Sequence, residues 1–353
     1  MPMKRVPIIL AASVLLMTSC LSKSELEADV HQRKVDFDVV VTRDGRLLTR
    51  SGVSAEGVDQ GLTILDGNNP FGLIAVDSED GRLMIDNASV YGNGDGTWTG
   101  YFDDYGWPET SRLSIGAYYP YVNSVSYGDE NKTYSIHYTA DETDAGPLVS
   151  KTVESAISVM KMVPLVFQHV SNDIGFKICD ATPSQDLQGL VHIRKLIAHN
   201  IAKAGVYVDT LATGGGRWKL QGQMTDIVVF DGDAKVPSGT SNELFVGRDR
   251  LSDSYSESNR FYSVPDEIKM GKQFVEIVYD VEGFTHNDFY YEPLKGVSAK
   301  YLIYGLLPEN QFRYGKQYTF HIGIDLSAVY PEITFSPTVG GWETRIYENH
   351  EDF

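Results

Sequence analysis

The stretch "VDFDVVV", residues 35–41, decides the fold class of this chain. Its apolar residues recur at every second position, which places them on one face of an extended strand. That face consists of Val35, Phe37, Val39 and Val41. The same period of two recurs in "TYSIHYTA" (133–140) and in "QYTFHIGIDL" (317–326). Alternation over this length is typical of strands that bury one side, so these stretches predict β-sheet.

The composition of the whole chain agrees with a sheet protein. The 353 residues include 21 Tyr, 15 Phe and 33 Gly, a combination typical of many short strands joined by tight turns. The glycine-rich segments "GNGDGTW" (92–98) and "TGGGRW" (213–218) are predicted to be hairpin turns. Helical periodicity is scarce, and its best example is the short segment "VESAISVMKM" (153–162). The predicted class is therefore all-β, with a sandwich architecture.

The length of the chain and a change of pattern predict two domains. A chain of 353 residues is long enough for two domains of ordinary size, each with its own core. Polar and turn-forming residues interrupt the apolar pattern in "CDATPSQDLQG" (179–189), near the middle of the chain. We therefore predict an N-terminal β-sandwich domain over 31–182 and a C-terminal one over 183–353.

The N-terminus has the layout of a bacterial export signal. Two basic residues precede an apolar run over 6–17 that is too short to span a bilayer. The small residues Thr18 and Ser19 then stand before Cys20, which resembles the bacterial lipobox, where the cysteine is acylated and becomes the first residue after cleavage. The sequence thus predicts a signal peptide over 1–19 and a lipid anchor on Cys20. The alternative is an ordinary signal in which Cys20 is incidental.

The rest of the chain shows no pattern that identifies a catalytic or metal site. The second cysteine, Cys179, lies in the strand-like "IGFKICDA" and is predicted to be a core residue. His192 and His199 lie seven residues apart without flanking metal ligands, and we predict that they are surface or strand residues. We therefore expect no enzyme activity, no cofactor and no metal.

The charge balance argues against one class of partner. The chain has 30 basic and 48 acidic residues, which gives a net charge of −18. Such a surface repels phosphate backbones, so a nucleic-acid partner is not expected.

Four longer stretches follow one another in a characteristic order. They are "GAYYPYVN" (116–123), "PLVFQHVSNDIGFKI" (164–178), "GKQYTFHIGID" (315–325) and "ITFSPTVGGWE" (333–343). Together with the lipoprotein signal, this order resembles the fimbrillin family of Bacteroidetes pilins, sometimes called Mfa-like. The resemblance spans most of the chain and rests on the order of the stretches.

The resemblance implies a fold and an assembly mechanism. The fold is two transthyretin-like β-sandwich domains in tandem, preceded here by a lipid-anchored leader over 20–50 that contains the first strand. Subunits of the family are carried as lipoproteins to the outer face of the outer membrane, where a trypsin-like protease cuts after a basic residue and removes that strand. An extended segment of a neighbouring subunit then fills the opened groove, which builds a pilus by strand exchange.

Three sets of residues in this sequence fit that mechanism. The strand that would be displaced carries Val35, Phe37, Val39 and Val41. It is followed directly by "TRDGRLLTR" with the candidate cleavage residues Arg43, Arg46 and Arg50. The candidate donor segment near the C-terminus offers Ile333, Phe335, Val339 and Trp342. Pro337 counts against a donor role because it removes a ladder hydrogen-bond donor, and the alternative is that this segment is the last core strand of its own domain.

The expected function is that of a structural subunit, stalk or tip, of a surface fimbria that contributes to adhesion. Its expected partners are other pilin subunits, outer-membrane lipid through Cys20, and a host ligand that the sequence does not identify. Two alternatives stay open: a monomeric, lipid-anchored binding protein of the outer membrane, for a glycan or another host ligand, and an uncleaved pilus anchor. The sequence also leaves open which arginine is cut.

Overall fold

A computed structural model shows a chain made of β-strands. The described residues are 33–41, 69–94, 97–102, 112–128, 132–139, 147–150, 153–156, 162–211, 216–222, 224–238, 243–247, 250–252, 260–327 and 331–341. Within these ranges there is no α-helix, and helical turns are confined to the 3-10 segments Gln185–Leu187 and Pro308–Asn310. No helix in the described part has the length and apolarity that a membrane crossing requires. The predicted all-β class is confirmed.

The described residues form twenty-four strands. The first twelve are β1 (Arg33–Val41), β2 (Phe71–Asp77), β3 (Leu83–Gly92), β4 (Trp98–Phe102), β5 (Arg112–Tyr119), β6 (Ser126–Gly128), β7 (Thr133–Thr139), β8 (Leu148–Ser150), β9 (Val153–Ala156), β10 (Met162–His169), β11 (Asn172–Asp180) and β12 (Val191–Ile201). The other twelve are β13 (Ala204–Thr210), β14 (Arg217–Leu220), β15 (Thr225–Lys235), β16 (Leu244–Gly247), β17 (Arg250–Ser252), β18 (Arg260–Ser263), β19 (Phe274–Val281), β20 (Phe284–His286), β21 (Phe289–Tyr291), β22 (Leu294–Leu302), β23 (Lys316–Asp325) and β24 (Glu332–Gly341).

The first half of the chain is organised by a closed circuit of strand pairings. The strand order is β2-β3-β4-β1-β10-β8-β5, and β5 pairs again with β2, while β9 pairs with β5. β1 therefore has a neighbour on each side, antiparallel β4 and parallel β10. The strands of this circuit share one core, whose largest side chains include Phe37, Phe71, Trp98 and Phe167. We name it the N-terminal core.

A second, four-stranded sheet lies against the other face of β2 and β5. Its strand order is β14-β13-β7-β6. Tyr134 and Tyr207 from this sheet are buried with Ile74 of β2 and Tyr118 of β5 in a separate cluster. The β13–β14 hairpin follows the predicted boundary at residue 183, yet β13 pairs with β7 of the first half along its whole length.

The second half of the chain forms a β-sandwich. One sheet has the order β17-β16-β11-β23-β24, with β18 also paired to β11, and the other has the order β15-β12-β19-β22. Between them lies the largest core, to which β11, β12, β19 and β23 contribute alternate residues. β11 and β23 form a parallel ladder of eight pairs from Asp173↔Gln317 to Asp180↔Ile324. β11 thus belongs to this sandwich although it precedes residue 183.

The alternating stretches adopt the predicted strands. In β7 the residues Tyr134, Ile136 and Tyr138 are buried, and in β23 the buried residues are Tyr318, Phe320, Ile322 and Ile324. The strands on either side of the two glycine-rich segments pair antiparallel, β3 with β4 and β13 with β14, while residues 95–96 and 212–215 lie outside the described part of the chain. The helical candidate was wrong at its start, because Val153–Ala156 is strand β9 and pairs with β5. A neighbouring strand that offers a ladder overrides a weak local preference for helix.

Candidate functional site

The first strand is held by two partial ladders. Its N-terminal part pairs with β4, from Arg33↔Phe102 to Phe37↔Trp98, and its C-terminal part pairs with β10, from Asp36↔Met162 to Val41↔Phe167. Only Asp36 and Phe37 are paired on both sides. The two ladders of β1 are therefore offset along the strand and overlap by two residues. Fewer backbone hydrogen bonds hold β1 than would hold an internal strand that is paired on both sides over its whole length.

The strand partner β10 carries a proline at this place. Pro164 lies opposite Asp38 in the parallel ladder, and proline has no backbone N–H to donate. Proline is found in sheets mainly on edge strands. The ladder of β10 with β8 covers only Phe167 to His169, so at Pro164 the described pairing of β10 is with β1 alone.

Phe37 is the side chain that anchors β1. It has no exposed surface, and Val35 and Val39 pack beside it, partly buried against the N-terminal core. Its ring meets Phe71 edge-on at a centroid distance of 5.6 Å and Phe102 at 6.3 Å. A Cβ built on Gly100 would lie 2.5 Å from the Phe102 ring and 3.2 Å from the Phe37 ring, so the absence of a side chain on Gly100 makes room for both rings beside β4.

The outer face of β1 carries its polar side chains. Thr99 of β4 donates a hydrogen bond to Asp36 Oδ1 over 2.9 Å and accepts one from Asn93 Nδ2, also over 2.9 Å. Lys34 Nζ lies 3.3 Å from Asp36 Oδ1, but both side chains are too exposed for this ion pair to add much stability. The surroundings of position 36 thus favour a side chain that accepts a hydrogen bond, whereas those of position 37 favour a large apolar side chain.

The other candidate element, β24, is the outermost strand of the six-stranded sheet. It pairs with β23 over ten residues, from Lys316↔Gly341 to Asp325↔Glu332. Ile333 and Phe335 are partly buried against the core of the sandwich formed by the second half of the chain, and the Phe335 ring stacks on that of Phe320 with a centroid distance of 5.1 Å. Phe335 also covers Tyr301 at a centroid distance of 5.6 Å, and burial raises the pKa of that tyrosine to about 12. In this structure β24 is therefore an edge strand that packs on its own sandwich through Ile333 and Phe335, with Val339 exposed near its end.

The side chains of β1 recur in β24 in the same order. "VDFDVVV" (35–41) and "ITFSPTV" (333–339) align without a gap. Both have an aliphatic residue first, phenylalanine third and valine seventh, with an oxygen-bearing side chain at the second and fourth positions. The fifth position is Val39 in one and Pro337 in the other. The two strands therefore present similar faces, which was visible in the sequence but was not predicted from it.

Several of the predicted site residues lie outside the described part of the chain. These are the lipidation residue Cys20, the candidate cleavage residues Arg43, Arg46 and Arg50, and the donor candidate Trp342. The structure brings together Val35, Phe37 and Val39 on the N-terminal core, and it places Val41 opposite Phe167 in the ladder with β10. Phe71, Trp98 and Phe102, which surround Phe37, were not predicted as site residues. The alternation of "WTGYF" (98–102) was the signal that could have identified two of them.

The described residues include neither a candidate metal site nor an activated cysteine. Among them no cluster of three or more His, Cys, Asp or Glu side chains could hold a metal ion. Cys179 is buried in β11, which confirms that it is a core residue, and burial raises the pKa of its thiol. A buried thiol with a raised pKa is a poor nucleophile.

Fold and site together define a β-sandwich protein in which an N-terminal strand completes a sheet from within. The sequence profile of the family described as fimbrillin-like matches residues 53–342. This match covers most of the chain, so the chain belongs to the fimbrillin-like family, and the resemblance found in the sequence is confirmed. None of the curated proteins matches the sequence significantly.

Solved structures with a similar fold come from related bacteria. A candidate cell adhesion protein from Parabacteroides distasonis is 12% identical with a TM-score of 0.55, over 90% of this chain and 99% of that one. A fimbrial protein from Bacteroides vulgatus is 15% identical with a TM-score of 0.53, over 87% and 99%. A candidate cell adhesion protein from Bacteroides uniformis is 15% identical with a TM-score of 0.51, over 88% and 98%. At these identities the similarity concerns the fold alone.

Proposed function

We propose that the chain is a structural subunit of a surface fimbria and assembles by exchange of β1 for the β24 segment of a second subunit. The observation that carries the proposal is the internal position of β1 combined with the matching side chains of β24. Membership of the fimbrillin-like family and the fimbrial protein among the similar structures support it. The subunit contributes to adhesion through the appendage that it builds.

Removal of β1 would create a binding site with defined chemistry. The inner edges of β4 and β10 would lose their ladder partners, and Phe71 and Phe102 would lose the ring of Phe37. A sheet with unpaired N–H and C=O groups beside an apolar trough takes up another extended strand. The backbone ladder then supplies affinity, and alternate side chains fix the register.

The exchange replaces several contacts of β1 by contacts of the same kind. In leaving β23, the donor uncovers Phe320 and Tyr301 of its own subunit. In the acceptor, Phe335 takes the place of Phe37, and Thr334 takes that of Asp36 beside Thr99. The hydroxyl of Thr334 accepts a hydrogen bond as the carboxylate of Asp36 does.

Proteolysis between β1 and β2 would make the exchange irreversible. Arg43, Arg46 and Arg50 all follow β1, and the family match begins at residue 53, beyond all three. β1 thus lies outside the part of the chain that matches the family. A cut after any of these arginines would remove its covalent connection to the subunit.

The proposal is tested by replacing Arg43, Arg46 and Arg50 together with glutamine. We expect the purified variant to remain monomeric after limited trypsin treatment, whereas the wild type forms ladders of oligomers on a native gel, because β1 stays connected and keeps the site filled. A matched control replaces three exposed arginines elsewhere, Arg82, Arg112 and Arg217, and should assemble normally. Equal ladders from both triple variants would contradict the proposal.

A second test concerns the lipid anchor. We propose that Cys20 is acylated, that residues 1–19 are removed, and that the subunit reaches the outer membrane surface as a lipoprotein. Cys20→Ala is expected to abolish incorporation of a fatty-acid analogue in metabolic labelling and to leave the protein unprocessed or mislocalised, because its thiol is the attachment site. Cys179→Ala is the control and should be labelled like the wild type. Undiminished labelling of Cys20→Ala would show that the lipid is attached elsewhere.

One observation favours a second candidate function. β1 fills its own site and β24 packs on its own core, so the structure is that of a closed subunit. A closed subunit that is never cleaved would act as a pilus anchor or as a monomeric, lipid-anchored binding protein for a glycan or another host ligand. We further propose that the N-terminal core and the C-terminal sandwich correspond to the two transthyretin-like domains. Residue 183 does not divide them cleanly, because β11 precedes it and belongs to the sandwich, whereas β13 follows it and pairs with β7 of the first half.

A further inference from the structure

Two histidines of β12 each connect carboxylates from opposite neighbouring strands. His192 Nδ1 lies 2.9 Å from Asp233 Oδ1 of β15, and its Nε2 lies 2.9 Å from Oε1 of Glu282, which directly follows β19. Seven residues further along β12, His199 Nδ1 lies 3.0 Å from Asp226 Oδ2 of β15, and its Nε2 lies 2.9 Å from Glu276 Oε2 of β19. The same three-strand bridge therefore occurs twice on the solvent face of one sheet.

This geometry requires a particular protonation state. A carboxylate accepts hydrogen bonds, so both ring nitrogens of a histidine can bond to carboxylates only when both carry hydrogen. The neutral ring has one N–H and one lone pair, which would face a carboxylate oxygen at the second contact. Each bridge is thus complete as an imidazolium and loses one of its two hydrogen bonds when the ring loses a proton.

We propose that His192 and His199 form a pH-sensitive clamp that holds the outermost strand β15 on its sheet at mildly acidic pH and releases it as the pH rises. This inference is independent of the proposed strand exchange, since it concerns the middle of the sequence and a sheet that contains neither β1 nor β24. It goes beyond the predicted surface or strand role of the two histidines.

The backbone ladder that attaches β15 to its sheet is one-sided and irregular, so side-chain contacts contribute to holding the strand in place. β15 pairs only with β12 among the strands of the described four-stranded sheet, and that ladder is interrupted by three register shifts, between Ile193 and Lys195, Leu196 and Ile197, and Ala198 and Ile201. The carboxylates Asp226 and Asp233 lie near its two ends. The clamp therefore fixes both ends of an irregular ladder.

Other charged groups surround the two histidines. From β15 these are Asp226, Asp231, Asp233 and Lys235; from β19 and the residue after it, Glu276, Asp280 and Glu282; from β12, Arg194 and Lys195; and from β22, Lys300. Arg194 binds both Asp233 at 2.6 Å and Asp280 at 2.7 Å, and Lys195 binds Asp231 at 2.9 Å. These permanent cations keep part of the attachment when the histidines are neutral, so the clamp weakens without opening fully.

The direction of the pH effect follows from the shifted groups. The pKa of His192 is raised, mainly by its hydrogen bond to Asp233 and also by the one to Glu282. The stability that His192 contributes is therefore complete below the ordinary histidine pKa of about 6.5, and it is lost as the pH rises through the raised pKa. Hydrogen bonding from His192, and next from Arg194, lowers the pKa of Asp233. That contribution is present above the ordinary aspartate value of about 3.9 and is lost as the pH falls through the lowered value. The clamp is therefore strongest between these limits.

Hydrogen exchange measured by mass spectrometry tests the clamp in the purified protein. After correction for the intrinsic exchange rate, protection of the segment 225–235 should fall between pH 5.5 and pH 8.5 by up to about fivefold, the range of a partly exposed ion pair. Protection of the central strand over 274–281 should change much less. In the His192→Gln and His199→Gln double variant, the segment 225–235 should show the weaker protection at both pH values.

A matched control and the wild-type series keep the test decisive. His137→Gln, at an exposed position of β7, should retain the full pH dependence of the wild type. If the double variant does not fold, the wild-type series and the His192→Gln single variant still decide, because that variant should lose part of the pH dependence. Corrected protection of 225–235 that is equal at the two pH values in the wild type, or a pH dependence that survives in the double variant, would overturn the proposal.

Discussion

Replacing Phe37 by alanine is expected to lower the free energy of unfolding of the uncleaved protein by about 3–5 kcal/mol. The ring is fully buried and contacts Phe71 and Phe102, so its removal leaves a cavity in the N-terminal core that rigid neighbouring strands cannot fill. Urea denaturation followed by circular dichroism and tryptophan fluorescence measures the change.

Phe289→Ala is the matched control for this measurement. It removes the same atoms from a ring that is 70% exposed on the β20–β21 hairpin, and a surface substitution of this kind stays within about 0.5 kcal/mol of the wild type. If Phe37→Ala proved as mild as Phe289→Ala, Phe37 would not anchor β1. The trough left by β1 would then lack its principal pocket.

A synthetic peptide with the sequence of residues 331–341 is expected to bind the trypsin-cleaved protein and to stop the growth of oligomers. It presents an aliphatic residue, a phenylalanine and a valine at the same spacing as in β1, so it competes with the donor segment of a second subunit. Using a peptide leaves the subunit's own β24 unchanged. Loss of assembly then cannot result from unfolding of the C-terminal sandwich.

Two altered peptides show whether the side chains decide the fit. Phe335→Ala in the peptide should weaken binding roughly ten- to hundredfold, because burial of one such side chain is worth about 1.5–3 kcal/mol. Ser336→Ala, at a position that is exposed in β24, should bind like the original peptide. Fluorescence anisotropy of labelled peptides gives both affinities. Equal binding of all three would mean that the donor lies elsewhere, while oligomers that still depend on the three arginines would leave strand exchange itself standing.

The sequence predicted which face of each strand is buried, but not which strands pair. Phe37, Tyr134 and Phe320 were assigned correctly to inward faces because a period of two is a local property. The pairing of β1 with β10 joins residues more than a hundred positions apart, and so does that of β11 with β23. Alternation contains no information about such partners, since every strand with an apolar face has the same pattern.

The candidate site was predictable to a similar extent. A removable first strand and its apolar residues came from alternation and from the family resemblance. The pocket around Phe37 did not, because Phe71, Trp98 and Phe102 come from β2 and β4 and meet only when the circuit closes. The bridges of His192 and His199 were missed for the same reason. Their carboxylates lie 27 to 90 residues away along the chain, where no local spacing could reveal them.

The closed circuit around the N-terminal core limits how many strands one subunit can accept. Loss of β1 would leave a gap bounded by β4 on one side and β10 on the other, about 10 Å wide at the usual strand spacing. One strand fills such a gap and restores pairing on both sides, after which no free edge remains there for a further strand. Each subunit would therefore have a valency of one as an acceptor and one as a donor. Subunits with these two valencies grow as unbranched chains of unit width, whereas a sheet with an open edge can recruit strands without limit.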